Sequence, residues 1–395
     1  MFMTPGLALF YGGMVRSKNV LAMLMQNFFS LGLVSVLWAV VAFSLAFSGT
    51  GRWIGNLHFA GLAHVVHEAP PGLALTIPPL LYMAYQMMFA VITPALITGA
   101  IADRMRFGAW VWFLGAWALL VYAPIAHWVF APAGWLFRRG ALDFAGGTVV
   151  HVNAGVAALA VVLVLGRRRG WPKTPMPPHS LPLTLIGTGI LWFGWFGFNA
   201  GSALAGDGVA VQAFVNTHLA AAAALLGWLL VERLKDGHAT TLGAASGAVA
   251  GLVAITPCAG YVGGLSAVWI GLLAGAVCAL AVSKKYRFGF DDSLDVIGVH
   301  LVGGILGSLL LGLFADTAVN HAARDGLFLG GGFGLLGEQA LAVAVTMAYS
   351  FTVTLALCLV LQRLVPGGLR VSDEDEERGL DLSLHSEVGY SLDRV

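Results

Sequence analysis

The chain has 395 residues, 58% of them hydrophobic and 10% charged, against roughly 25% charged in an ordinary soluble domain, so a water-soluble globule is excluded. Lys and Arg number 21 against 20 Asp and Glu, and a net charge of +1 gives no basic field for nucleic acid, which is excluded as a partner. Three cysteines, Cys258, Cys278 and Cys358, stand among apolar or small residues with no CxxC spacing, which excludes a disulfide scaffold or a thiolate metal site and leaves packed free thiols. What remains is an all-α polytopic membrane protein.

Apolar stretches of the length that crosses a ~30 Å hydrocarbon core recur at 1–14, 20–48, 76–101, 108–128, 146–165, 181–203, 209–231, 241–258, 262–282, 293–314 and 335–362. They predict eleven transmembrane helices. The first is short for a span and carries Pro5 and Gly6 where a helix centre should be, so a start further upstream is expected. It lacks the positive n-region and cleavage site of a signal peptide.

Placing the first loop, Arg16 to Asn19, in the cytoplasm puts 17 of the 21 Lys and Arg in inward-facing loops, Arg394 among them, and leaves Arg52, Arg138, Arg139 and Arg324 outside. This bias predicts a multi-pass protein with its N-terminus outside and its C-terminus cytoplasmic. Residues 166–180 include four prolines and four basic residues and read as a stiff cytoplasmic linker. It separates a first five-helix half, 1–165, from a second, 181–314, and an odd number of spans in each half makes any similarity between them an inverted repeat. LDFAGGTVVHVNAG at 142–155 and LDVIGVHLVGG at 294–304 supply that similarity. The eleventh helix, 335–363, is an addition. Beyond it the tail, 364–395, carries DEDEER at 373–378 and reads as a solvated, disordered cytoplasmic segment.

Ionisable residues inside apolar spans demand partners and mark function. His151 and His300 occupy corresponding positions in the two halves, which would bring them together near the midplane as neutral imidazoles, or as a pair sharing one proton, lining a narrow polar path. Two core histidines bonded to backbone carbonyls are the alternative. Haem or metal ligation is weaker, because no third ligand or CxxCH accompanies them. Asp143 and Asp295 begin the same two spans. Asp143 lies eight residues before His151 and Asp295 five before His300, so different roles are expected, with helix capping an open alternative for Asp143 and the default for Asp295. Aromatic residues gather at span ends, with Tyr85 and Phe89 four apart, Trp128 and Phe130 after the fourth span, and WFGWFGFNAGS at 192–202, in which Phe198 and Ser202 share a helical face. Rings and a hydroxyl there could hold a small cation, although most membrane aromatics are interfacial anchors.

PGLALFYGGMVRSKNVL, GALDFAGGTVVHVNAG, WFGFNAGSA, AFVNT, ITPCAGYV, DVIGVHLVGG and GLRVSDEDEERGLD, taken in order, resemble successive motifs of the ammonium transporter (Amt/Mep/Rh) family, bacterial Amt type. The resemblance implies a homotrimer in the cytoplasmic (inner) membrane with one pore per protomer, taking up ammonium, without cofactor and not as an enzyme. It implies Phe89 and Phe198 as stacked external gate rings, Ser202 as the recruitment hydroxyl and His151 and His300 as the pore histidines. Asp143 would be a structural and recruitment carboxylate, and Trp195 a support of the pore wall. The acidic tail resembles the region that couples the pore to PII-type signal proteins. Where the bacterial family has a tryptophan in the external cation site, this chain has Phe130, which keeps a ring but loses the indole face and its N–H. The expected mechanism recruits ammonium at Phe130 and Ser202, deprotonates it near the gate and conducts ammonia past the histidines. An Rh-like neutral ammonia channel and an ammonium sensor signalling through its tail are the rivals.

Overall fold

The computed structural model describes residues 1–390; Arg394 and the last part of the acidic tail lie outside them. Helices α2 (Ser17–Phe47), α3 (Pro79–Ile101), α4 (Phe107–Arg139), α5 (Gly147–Leu165), α6 (Leu181–Ala203), α7 (Gly208–Asp236), α9 (Ser266–Phe288), α10 (Ile297–Phe314) and α11 (Gly334–Leu364) are the nine, among the described residues, long and apolar enough to cross a membrane. Two shorter helices, α1 (Met3–Met14) of 12 residues and α8 (Thr241–Ile255) of 15, accompany them. Each apolar stretch of the sequence therefore corresponds to a helix, and the protein is an all-α polytopic membrane protein.

Pro5 and Gly6 do not break α1. Pro5 falls in the first turn, where its missing N–H has no intrahelical partner to lose. The helix lies so close to α6 that a Cβ on Gly187 would stand 2.2 Å from the Phe10 nitrogen. The same device packs α9 on α7, where a Cβ on Gly275 would stand 2.0 Å from the Ala224 carbonyl oxygen. With no hydrophobic drive between helices in lipid, such backbone approach supplies the dispersion contact that holds them. Four helices contain a π-helical turn, at Trp38–Ala42, Ala118–Tyr122, Gly147–Val152 and Ile297–Leu301, and the last two hold His151 and His300. The three cysteines are free and fully buried.

The tail overturns one expectation. Residues 369–390 fold back over the end of the bundle as two short helices, α12 (Asp373–Arg378) and α13 (Leu380–His385). Glu376 and Asp381 are buried because each carboxylate has partners. Glu376 accepts from the Arg370 guanidinium at 2.6 Å and the Arg169 amide at 2.7 Å. Asp381 accepts from the amides of Leu21 and Ala22 at 3.0 and 2.8 Å, at the start of α2, where unpaired N–H groups favour an anion. Beside it, Arg168 forms a two-pronged pair with Asp291 at 2.9 Å on both prongs, and Arg16 pairs with Asp103 at 2.9 Å. Composition marks the tail's acids as solvated, whereas Glu376 and Asp381 dock it.

Candidate functional site

Three helices meet at the end of the bundle opposite the tail. Phe89 on α3 and Phe198 on α6 stack with ring centroids 4.2 Å apart and planes at 22°. Phe130 on α4 meets Phe89 edge-on at 6.2 Å and 81°. A cavity of about 180 Å³ opens above these rings, lined among others by Tyr85, Phe89, Phe130, Asp143 and Ser202. Phe198 and Ser202 are one helical turn apart, and the Ser202 hydroxyl donates to the Phe198 carbonyl at 2.9 Å. The Ser202 oxygen also lies 3.0 Å from the Tyr85 hydroxyl oxygen; with its proton on the Phe198 carbonyl, a lone pair on that oxygen is what it can offer toward the cavity. Trp128 turns away as its two-residue offset suggests, donating from Nε1 to the Trp53 carbonyl at 2.7 Å and packing 4.7 Å from Tyr349.

Beneath the stacked rings lies a second, small cavity of about 10 Å³ whose lining is apolar apart from the two histidines. The Nδ1 atoms of His151 and His300 approach to 3.3 Å, with both rings buried and 22° from parallel. Only one of two facing nitrogens can donate, so the rings are opposite tautomers, and one Nε2 carries a proton while the other carries a lone pair. Nε2 of His151 is buried with no hydrogen-bond partner. Trp195 stacks 5.5 Å from His151 and is fixed by a bond from its Nε1 to Thr256 Oγ1 at 2.8 Å; sequence reasoning did not single out Thr256. Two nitrogens fall short of the three protein ligands of a catalytic zinc.

The π-turns give the two halves a closer correspondence than the Leu-Asp dipeptides suggest. Asp143 accepts from the amides of Gly146, Gly147, Thr148 and Val149 at 2.7–3.1 Å. Asp295, expected as a cap, does not cap; it pairs with Lys285 at 2.6 Å. The capping carboxylate is Asp292, which accepts from the amides of Val296 and Ile297 at 3.1 and 2.7 Å. Asp292 precedes His300 by the same eight residues that separate Asp143 from His151. Asp295 corresponds to Gly146 instead, and both have left-handed backbone, with φ of 63° and 110°.

The model of the Ammonium Transporter Family matches residues 1–390. The chain is 52% identical over 423 residues to a protein of Mycobacterium tuberculosis named "Ammonium transporter", with 99% of this chain and 88% of the relative covered. It is 50% identical over 389 residues to one of the same name from Bacillus subtilis, with 98% and 95% covered. Among solved structures, Mep2 of Candida albicans superposes with a TM-score of 0.88 at 36% identity, covering 95% of this chain and 84% of that one. A structure described as "Sensor Amt Protein" superposes with a TM-score of 0.87 at 30% identity, covering 97% and 94%.

Proposed function

The chain belongs to the Ammonium Transporter Family, and from that premise we propose how this ammonium transporter moves its substrate. An ammonium ion in an apolar pore would forfeit solvation worth tens of kcal/mol, so the pore must replace its water or remove its proton. The vestibule does the first in part. Phe130 offers a ring, contributing about 0.5–2 kcal/mol to a cation as it desolvates, over the stacked Phe89 and Phe198. Ser202 offers an acceptor oxygen to one N–H, and Asp143 adds negative charge to the lining. The stacked rings of Phe89 and Phe198 close the way to a hydrated ion. The proton passes to water in the vestibule above this gate, and ammonia crosses when the rings part.

Below the gate ammonia meets a donor and an acceptor, the Nε2 atoms of the opposite tautomers, and exchanges hydrogen bonds with them while it is out of water. Reprotonation follows on the cytoplasmic side, and the histidine pair can relay the separated proton. The observation that carries this reading is the 3.3 Å contact between two buried imidazoles in an otherwise apolar cavity directly beneath stacked rings. Solid-supported membrane electrophysiology on proteoliposomes tests it, because ammonium-dependent charge movement is expected. Ammonia uptake with no charge movement would instead favour the neutral-channel reading, toward which the weaker ring of Phe130 leans.

In the same reading the protein is a homotrimer in the inner membrane, built from two inverted five-helix halves, 1–165 and 181–314, with the linker 166–180 and the tail 364–395 on the cytoplasmic side and the N-terminus outside. Native mass spectrometry in mild detergents is expected to show three chains, and a predominant monomer would contradict it. The docked tail is the surface offered to a PII-type protein. Unchanged PII binding after Asp381→Ala, which undocks α13 without deleting it, would contradict that role.

A further inference from the structure

The loop between α2 and α3 carries a cluster of side chains that the transport reading does not use. His58, His64 and Glu68 each present one ligand atom, and these atoms lie within 4.8 Å of one another. Nε2 of His58 is 2.7 Å from Glu68 Oε2, and Nδ1 of His64 is 3.6 Å from Glu68 Oε1. The two imidazoles stack with centroids 4.4 Å apart and planes at 3°.

The loop holds this cluster in place from beneath. Phe59 and Val65 are 2% and 1% exposed, and the Phe59 amide donates to Ser44 Oγ at 2.9 Å. Each histidine immediately precedes one of these anchors and faces outward, with side chains 43% and 53% exposed. Between the anchors the backbone turns through left-handed conformations at Gly61, Leu62 and His64, with φ of 67°, 60° and 62°. For the two residues with a Cβ this costs about 1–3 kcal/mol each, a strain that marks functional loops when the surroundings impose it. The amides of His67 and Glu68 then both donate to the His64 carbonyl at 3.0 Å, which folds the Glu68 carboxylate back against both rings.

Two imidazoles and a carboxylate, with one negative charge among them, suit a late first-row divalent cation rather than calcium or magnesium. Tetrahedral zinc, with ligands at about 2.0–2.2 Å, needs neighbouring ligand atoms roughly 3.3 Å apart. The imidazoles stack nearly parallel, so binding requires them to rotate about their side-chain torsions, which their exposure permits. We propose that His58, His64 and Glu68 form a surface zinc-class site, with water completing the coordination. The loop runs on to Leu73, which lines the vestibule above the gate. The site rests on the loop geometry alone and does not depend on the transport mechanism.

The test uses the full chain purified without a histidine tag, with zinc as the probe, titrated in competition with a chromophoric chelator. Wild type is expected to bind one equivalent. His58→Ala/His64→Ala is expected to lose it, and Glu68→Gln to bind at least about tenfold more weakly, as removal of a group from a metal site does. Both variants should melt at the wild-type temperature in chelator, because the side chains are exposed. Affinity should fall on acidification, since a coordinating imidazole must be deprotonated. No zinc bound by wild type, or an undiminished equivalent in the double variant, would overturn the proposal.

Discussion

The Tyr85 hydroxyl donates to the Phe198 carbonyl at 2.7 Å, tying α3 to α6 beside the two phenyl rings they stack. That carbonyl lies in the last turn of the α-helical run Leu181–Ala200, where carbonyls lack amide partners, and Tyr85 and Ser202 together occupy it. Tyr85→Phe keeps the ring and removes the tie. Expected are a loss of about 1 kcal/mol of stability and a changed half-saturating ammonium concentration, read by thermal unfolding in detergent and by transport current. A variant indistinguishable from wild type in both would show that the tie does not brace the gate.

His151→Ala and His300→Ala each remove a donor and an acceptor and open a hole in the apolar path. Either variant is expected to lose selective ammonium flux or proton-coupled current, even where some conductance persists. Wild-type current with wild-type ammonium over potassium selectivity in both would sink the role given to the pair.

Phe130 makes a separate forecast, because it faces the cavity above the gate and touches neither histidine. Phe130→Trp presents a larger electrostatic face and an N–H. A half-saturating ammonium concentration lower by roughly three- to tenfold is expected, which is about 0.7–1.4 kcal/mol of added cation binding. An unchanged value in a folded variant would remove Phe130 from the recruitment site.

Asp143→Asn is expected to cost more than Asp292→Asn. An amide keeps one acceptor oxygen and turns a donor toward N–H groups that already donate. Asp143 accepts four amides against two for Asp292. With about 1–3 kcal/mol for each amide left unpaired, the first variant should lose folded yield and the second should survive weakened. The opposite order in a thermal-unfolding comparison would mean that capping is not what these carboxylates contribute.

Acid should loosen the end of the bundle that carries the tail, at Asp291. Burial by itself pushes its carboxyl up, but the hydrogen bonds and charge of Arg168, with Arg104 nearby, outweigh it and hold the group below the usual carboxylate range. A depressed folded value means that the stabilisation is complete above the unfolded value, about 3.9, and drains away as pH falls below it. Asp291→Asn removes the two-pronged partner of Arg168, 7% exposed, and leaves it only the longer 3.6 Å contact with Asp103, so a loss of up to roughly 3 kcal/mol is expected. The gap between wild type and variant in thermal unfolding should therefore be full at pH 6–7 and close below about pH 4. A gap that does not narrow in acid would put the stabilisation elsewhere.

The helices were legible because apolar runs in lipid have almost no alternative to helix, and the histidine pair because two ionisable side chains in such runs demand partners. The Asp292 cap was legible too, in an Asp-x7-His spacing shared by 143–151 and 292–300, but the Leu-Asp dipeptides drew attention to Asp295. That residue takes the left-handed position that Gly146 fills in the other half, and dihedral angles leave little trace in a sequence when an Asp tolerates them. The tail misled for a different reason. Composition counts charges without their partners, and what docks Glu376 and Asp381 is a guanidinium and amides brought from residues 169, 370, 21 and 22. Orphaned atoms such as Nε2 of His151 exist only once the packing around them does.

Because Cys258, Cys278 and Cys358 are all sealed inside the bundle, the folded protein offers a thiol-reactive dye nothing to label. The native chain is therefore its own silent background. A cysteine placed beside the vestibule, on the loop near His58 or on α13 can carry a fluorophore or spin label without first replacing three packed side chains, each of which would leave a void. Opening of the gate and undocking of the tail can then be followed in one molecule, one reporter at a time, against a sequence otherwise unaltered.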